Sequence, residues 1–129
     1  VTLDLPSDLE VLPVVVRAAE LFCERVVGRP ALAERLKLSL VEAVENAVRH
    51  ANRGDHSRRV RVTLRWHAPE AVAEVEDEGP PFDLPETDPD PAEAREGGRG
   101  LYLMRRLADR LEMERTERGN LVRLAWRLA

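Results

Sequence analysis

Apolar and polar residues alternate with period two over residues 60–66 (VRVTLRW) and again over 71–76 (AVAEVE), so each run predicts a strand with one face in a core. The short Ala68-Pro69-Glu70 link between them predicts a hairpin. Residues 1–5 alternate too and stop at Pro6-Ser7, which reads as a first strand and a turn. Ser7 or Asp8 is placed to cap a helix over about 9–27, closed by Gly28, with Pro13 in the early turns that tolerate proline. A second helix begins near Pro30 and runs to about residue 51, where Asn52-Arg53-Gly54-Asp55 breaks it. Leu36, Leu40, Val44, Val48 and Ala51 recur on one side of it and belong in the core. Periodicity then stops over residues 82–96, where Pro, Asp and Glu dominate; a long irregular stretch in a small domain is usually functional or disordered. After Gly100 a helix resumes through Leu101, Leu103, Met104, Leu107, Ala108 and Leu111, and two strands, 111–116 and 121–128, flank Arg118-Gly119-Asn120. The order is that of an α+β domain without internal repeats.

Composition narrows the class. At 129 residues, 43% hydrophobic and 34% charged, the chain is one globular domain over 1–129, large enough to bury its own core. A net charge of -4 gives no electrostatic reason to expect direct nucleic-acid binding. No apolar run approaches the roughly 20 residues of a membrane helix, and nothing resembles a signal peptide. The single cysteine, Cys23, lies in an apolar helical run; it excludes a disulfide framework, reads as a buried small hydrophobe, and fits a reducing, cytoplasmic location.

Chemistry enters on the second helix, where Glu42, Asn46 and His50 follow one another by a turn. A solvated helix face accounts for such a row in most helices. Asn46 changes the balance, because asparagine is a mediocre helix former whose amide carbonyl is a hard oxygen ligand suited to magnesium. Glu42, one turn earlier, is placed to accept a proton from a hydroxyl attacking a terminal phosphate. Asp77, at the end of the second hairpin strand, is followed by Glu78-Gly79-Pro80-Pro81. Its carboxylate can accept from an exocyclic amine such as that of adenine, and Gly79 lets backbone pass close to a flat ring; an ordinary strand-ending turn explains the same residues in isolation. Gly97-Gly98-Arg99-Gly100 leads into Leu101 and the third helix, and a glycine-rich turn at a helix start presents N–H groups to phosphate. Arg99 or Arg105 can add charge there. No Walker A lysine is present, and no strand precedes the glycines as a dinucleotide fingerprint requires.

As a set, Glu42-x-x-x-Asn46, Asp77-x-Gly79 and Gly98-x-Gly100 closely resemble the ATP-binding boxes of the GHKL superfamily, whose fold is the Bergerat fold, and in particular its stand-alone anti-sigma-factor serine/threonine kinases. The resemblance covers nearly the whole chain. It implies a two-layer α/β sandwich with helices on one face of a mixed, mostly antiparallel sheet. It further implies ATP and magnesium as cofactors, with Glu42 as catalytic base, Asn46 as the magnesium ligand, Asp77 on the adenine amine and Gly79 lining the base pocket. Gly98, Arg99, Gly100 and Leu101 would lie at the phosphates, and residues 83–99 would form the lid over ATP. The implied partners are an anti-anti-sigma protein, phosphorylated on serine, and a sigma factor. A homodimer is also implied, to which Val14, Val15, Ala18, Leu21 and Phe22 of the first helix would contribute; a core role for that stripe is the equal alternative.

Two positions depart from the pattern: Pro81 stands where many relatives have a second glycine, and Asn120 follows Gly119 where relatives often have threonine. Pro81 keeps a non-catalytic nucleotide-binding module in view as an alternative. The catalytic domain of a sensor histidine kinase is a further one, although His50, His56 and His67 are badly placed for a phospho-acceptor.

Overall fold

The two strongest alternating runs pair with each other. In the computed structural model, which describes residues 1–81 and 98–129, β2 (Arg59–His67) and β3 (Glu70–Glu76) form an antiparallel hairpin with Val62 opposite Val75 and Leu64 opposite Ala73. β1 (Thr2–Pro6) lies along the outer side of β2, and β5 (Asn120–Arg127) along the other side of β3. β4 (Arg110–Arg115) closes the far edge, giving the order β1-β2-β3-β5-β4. All four ladders are antiparallel, so the described strands have no parallel pair, where the resemblance implied a mixed, mostly antiparallel sheet.

Among the described residues three α-helices, α1 (Leu12–Leu21), α2 (Ala33–Asn46) and α3 (Gly98–Leu107), accompany this sheet. The first two are shorter than the periodicity predicts because their ends change hydrogen-bonding pattern. The stretch 9–27 opens as a 3-10 turn (Leu9–Val11), whose start is capped by the Asp8 carboxylate accepting from Glu10 N at 2.9 Å, and ends as a π-helical segment (Phe22–Val27) stopped at Gly28. The second opens at Pro30–Leu32 and ends in a π-helical turn, Ala47–Ala51. After Leu107 the chain turns sharply. Trp126 Nε1 donates to Leu107 O at 2.8 Å and Asp109 N donates to Ala125 O at 2.9 Å, so Leu111 is in β4 and not in the helix.

The core lies between the two layers. Leu36, Leu40 and Val44 of α2 meet Val60, Val62 and Leu64 of β2, with Val15 and Phe22 from the first helical stretch and Trp126 from β5. The expected α2 stripe is buried throughout, including Val48 and Ala51. Cys23 is fully buried, and burial pushes its thiol up to about 11. The opposite face of the sheet carries a lattice of ion pairs: Arg123 reaches Glu74 at 2.9 Å and Glu114 at 2.6 Å, Arg65 reaches Glu74 at 2.8 Å, and Arg110 reaches Glu70 at 3.0 Å. The hydrogen bond to Glu114 raises the Arg123 pKa further. Antiparallel sheets tolerate this division into one apolar and one solvated face. Among the described residues no helix is long and apolar enough to cross a membrane.

Candidate functional site

Glu42 and Asn46 emerge, half-buried, from a helix whose other side is locked in the core by Leu36, Leu40 and Val44. Their helix is therefore held rigidly while their polar ends reach the surface. Asn46 is also the last α-helical residue before the π-helical turn, a distortion frequently found at functional sites. The first turn of α3 closes on this pair. A Cβ built on Gly100 would lie 2.8 Å from Glu42 Oε2 and 3.2 Å from Asn46 Nδ2. Gly98 and Arg99 belong to the same turn, whose backbone N–H groups lack acceptors within the helix. Leu101 is buried, so what it can offer a ligand is backbone. Gly97 and the lid positions up to 97 lie outside the described residues.

A second cluster forms where β3 ends. Asp77 is 3% exposed, and its Oδ1 accepts three hydrogen bonds: from Gly79 N at 2.8 Å, Asn120 N at 3.2 Å and Asn120 Nδ2 at 3.0 Å. Oδ2 has no hydrogen-bond partner among the described residues. Asp77 is thus a rigidly oriented carboxylate with one oxygen available to a donor. Two glycines make the arrangement possible by close approach. A Cβ at Gly79 would stand 2.1 Å from Ala51 O, and one at Gly119 would stand 2.2 Å from Asp77 O. The two clusters share one support, because Ala51, the residue beneath Gly79, ends the helical stretch that carries Glu42 and Asn46.

The model of the histidine kinase-like ATPase domain family matches residues 5–126. The chain belongs to this family. A curated relative, the serine-protein kinase RsbW of Bacillus pumilus (strain SAFR-032), is 35% identical over an alignment of 92 residues that covers 63% of this chain and 57% of that protein. The chain thus spans little more than half the length of the curated relative it matches. Among solved structures, the catalytic domain of histidine kinase ThkA is similar with a TM-score of 0.59 at 16% identity, covering 98% of this chain and 97% of that one. The histidine kinase domain of the blue-light activated histidine kinase from Erythrobacter litoralis gives 0.56 at 24% identity, covering 95% and 61%. These structures share the fold.

Set in the histidine kinase-like ATPase fold, three further residues matter that sequence reasoning passed over or left open. Asn52, read from sequence as part of a turn, is fully buried. Its Oδ1 accepts from Glu78 N at 2.9 Å, and its Nδ2 donates to Ser7 Oγ at 3.0 Å and Arg59 O at 3.2 Å. It ties the end of the second helix to β1, β2 and the turn after β3. Asn120, in the position where threonine was the expected residue, binds Asp77 and also donates to Pro80 O at 2.9 Å. Arg115 donates to Gly79 O at 2.7 Å. An asparagine at a helix end reads locally as a turn residue, and neither Asn52 nor Arg115 carried a usable signal, since they act on residues 26 and 36 positions away.

The amide oxygen of Asn46 suits magnesium, which takes few protein oxygens and completes its shell with phosphates and water. The described residues contain no group of three or more His, Cys, Asp or Glu that would suit a metal held by protein alone. His50 is exposed on the turn beyond Asn46. On the first helix the apolar stripe divides: Val15 and Phe22 are core, while Val14 and Leu21 face outward beside Pro13, Arg17 and Ala18.

Proposed function

We propose that this domain is an ATP-dependent serine/threonine protein kinase of the anti-sigma-factor type, which phosphorylates an anti-anti-sigma partner and sequesters a sigma factor. The observation that carries the reading is the convergence of the α3 turn, through Gly100, on Glu42 and Asn46. A phosphate-binding helix start, a base and a hard amide oxygen are the parts phosphoryl transfer needs, since its catalysis is chiefly positioning and electrostatics. The match to a serine-protein kinase over 92 residues supports serine as the acceptor.

In this reading the Asp77 carboxylate takes the exocyclic amine of adenine, and Gly79 lines the base. Gly98, Arg99, Gly100 and the Leu101 backbone receive the phosphates at the start of α3. Asn46 would hold magnesium, which when bound supplies positive charge to the β- and γ-phosphates. Glu42 accepts the proton from the partner's serine hydroxyl as that oxygen attacks the γ-phosphorus in line with the departing ADP oxygen. The acidic lid, residues 83–99, would cover the nucleotide. The exposed apolar positions Val14 and Leu21 suit a homodimer contact.

The test is calorimetry with ATP, with and without magnesium, on the wild type and on Glu42→Ala, followed by transfer to an anti-anti-sigma protein. Magnesium-dependent binding in both proteins, with transfer lost in Glu42→Ala, is the expected result. Binding and transfer lost together in the variant would sink the base assignment. Absence of binding in the wild type would remove the kinase reading and leave a partner-binding domain on this scaffold.

A further inference from the structure

Two prolines follow Gly79, and neither has an N–H to anchor its backbone. The turn that would line the base pocket is held by the Glu78 N–H, which donates to Asn52 Oδ1 at 2.9 Å, by its carbonyl acceptors and by the Gly79 N–H. The N–H goes to Asp77 Oδ1. The carbonyls of Gly79 and Pro80 are taken by Arg115 Nη1, at 2.7 Å, and Asn120 Nδ2, at 2.9 Å. These two donors are directly paired across the β4–β5 ladder, and Arg115 Nη1 also lies 3.5 Å from Asn120 Oδ1. They form one clamp, built at the end of a strand pair and closed on the tip of the turn.

Arg115 differs from its neighbours on the sheet. Arg110 and Arg123 are engaged by carboxylates, whereas Arg115 has no ion-pair partner among the described residues and spends its guanidinium on neutral oxygens. A cation donating to a carbonyl makes a stronger hydrogen bond than a neutral donor would. The Gly79 peptide is thereby held from two sides, with the Ala51 carbonyl against its α-carbon and Arg115 on its oxygen. The orientation of Asp77 follows, since the Gly79 N–H and both Asn120 donors fix its Oδ1.

We infer that Arg115 is a positioning residue for nucleotide binding, which holds the Asp77–Pro81 turn in the base-accepting shape before the ligand arrives. This rests on the reading that Asp77 and Gly79 receive adenine. In place of the conformational adaptability a second glycine would give, the turn combines Pro81 with a clamp reaching across from β4. The pocket is then preorganised, and binding loses less free energy to ordering it.

The experiment measures two quantities on the wild type, Arg115→Ala and Arg115→Gln: amide exchange at Gly79 without nucleotide, and the Kd for ATP with magnesium. Removing a charged donor to a turn carbonyl is expected to speed Gly79 exchange and weaken ATP binding about tenfold. The melting temperature should move little, because Arg115 is exposed and away from the core. Arg115→Gln, which keeps a neutral N–H donor, should recover part of both effects. Unchanged ATP affinity in a folded Arg115→Ala protein overturns the inference while leaving the nucleotide site standing. A wild type that binds no ATP fails the site reading itself. If Arg115→Ala does not fold, Arg115→Gln carries the same comparison.

Discussion

Gly100 and Glu42 are so close that a methyl group on the Gly100 α-carbon would stand 2.8 Å from Glu42 Oε2. The atom met is the end of a flexible side chain, so a rotation of Glu42 relieves the contact, and alanine is in any case favoured over glycine within a helix by up to about 1 kcal/mol. Stability should therefore hold. The same rotation moves the proposed base away from the serine hydroxyl, and misplacement of a catalytic group by about 1 Å costs on the order of 100-fold. Gly100→Ala is expected to melt within a few degrees of the wild type and to transfer phosphate roughly 100-fold more slowly. Full transfer activity in that variant would show that Glu42 is not the group whose position matters.

Gly79 and Gly119 meet rigid backbone instead. Their added Cβ atoms would lie 2.1 Å from Ala51 O and 2.2 Å from Asp77 O, contacts no side-chain rotation can relieve. Overpacking of this kind typically costs about 1–3 kcal/mol or more. Gly79→Ala and Gly119→Ala should each lower the melting temperature by on the order of 10 °C. Thermal denaturation followed by circular dichroism checks both, and a wild-type midpoint would mean that the close approach is absent in solution.

Asn52 is a structural counterpart to these glycines. Alanine there strands the Glu78 N–H, the Ser7 hydroxyl and the Arg59 carbonyl, with an expected loss of about 2–4 kcal/mol in urea denaturation. Asn52→Asp keeps the acceptor for Glu78 N and can still accept from Ser7, but it opposes the Arg59 carbonyl with a second acceptor. It should fall between alanine and wild type. Equal stability of all three proteins would refute the bridging role.

Much of this architecture was legible because it is written in short-range pattern. The alternation over residues 60–66 and 71–76 marks β2 and β3, and the stripe of Leu36, Leu40 and Val44 marks the buried side of α2. The helix ends were not legible. A shift to π-type hydrogen bonding at Phe22–Val27 and Ala47–Ala51 scarcely alters side-chain spacing over a single turn. The candidate site divides in the same way. Glu42, Asn46, Asp77 and Gly79 stand in recognisable local spacings, whereas Asn52 and Arg115 act on residues 26 and 36 positions away. Nothing local announces such partners. Asn120 lay between the two cases: its place after Gly119 was visible, and its grip on Asp77 and Pro80 required the fold.

Cys23 gives the protein a predictable alkaline limit. Burial raises its pKa from 9.0 to about 11, so the unfolded chain loses this proton first as pH rises. Above pH 9 the unfolded state binds fewer protons than the native state, and stability falls with pH until about 11. The full contribution is roughly 2–3 kcal/mol, present below pH 9. Cys23→Ala should flatten the decline in a series of urea titrations between pH 8 and 11. In the native protein the thiol should also resist a thiol reagent that modifies it promptly in urea.

Asp77 offers the sharpest discrimination of the proposed nucleotide site. Its Oδ1 faces three N–H donors, from Gly79 and twice from Asn120, so an asparagine at 77 must keep its carbonyl oxygen there. The amide nitrogen then takes the place of Oδ2 and turns an acceptor into a donor. The fold should survive this substitution, because all three existing hydrogen bonds are retained. Adenine would be rejected, since its exocyclic amine also donates. A purine with a carbonyl at the same ring position presents an acceptor and becomes the better match. Asp77→Asn is therefore expected to bind ATP about 10- to 100-fold more weakly and to improve its relative affinity for inosine triphosphate. Calorimetry with the two nucleotides on both proteins measures the change. Loss of both in equal proportion would mean that the carboxylate supports the pocket without touching the base, and an unaltered ATP affinity would place the base elsewhere.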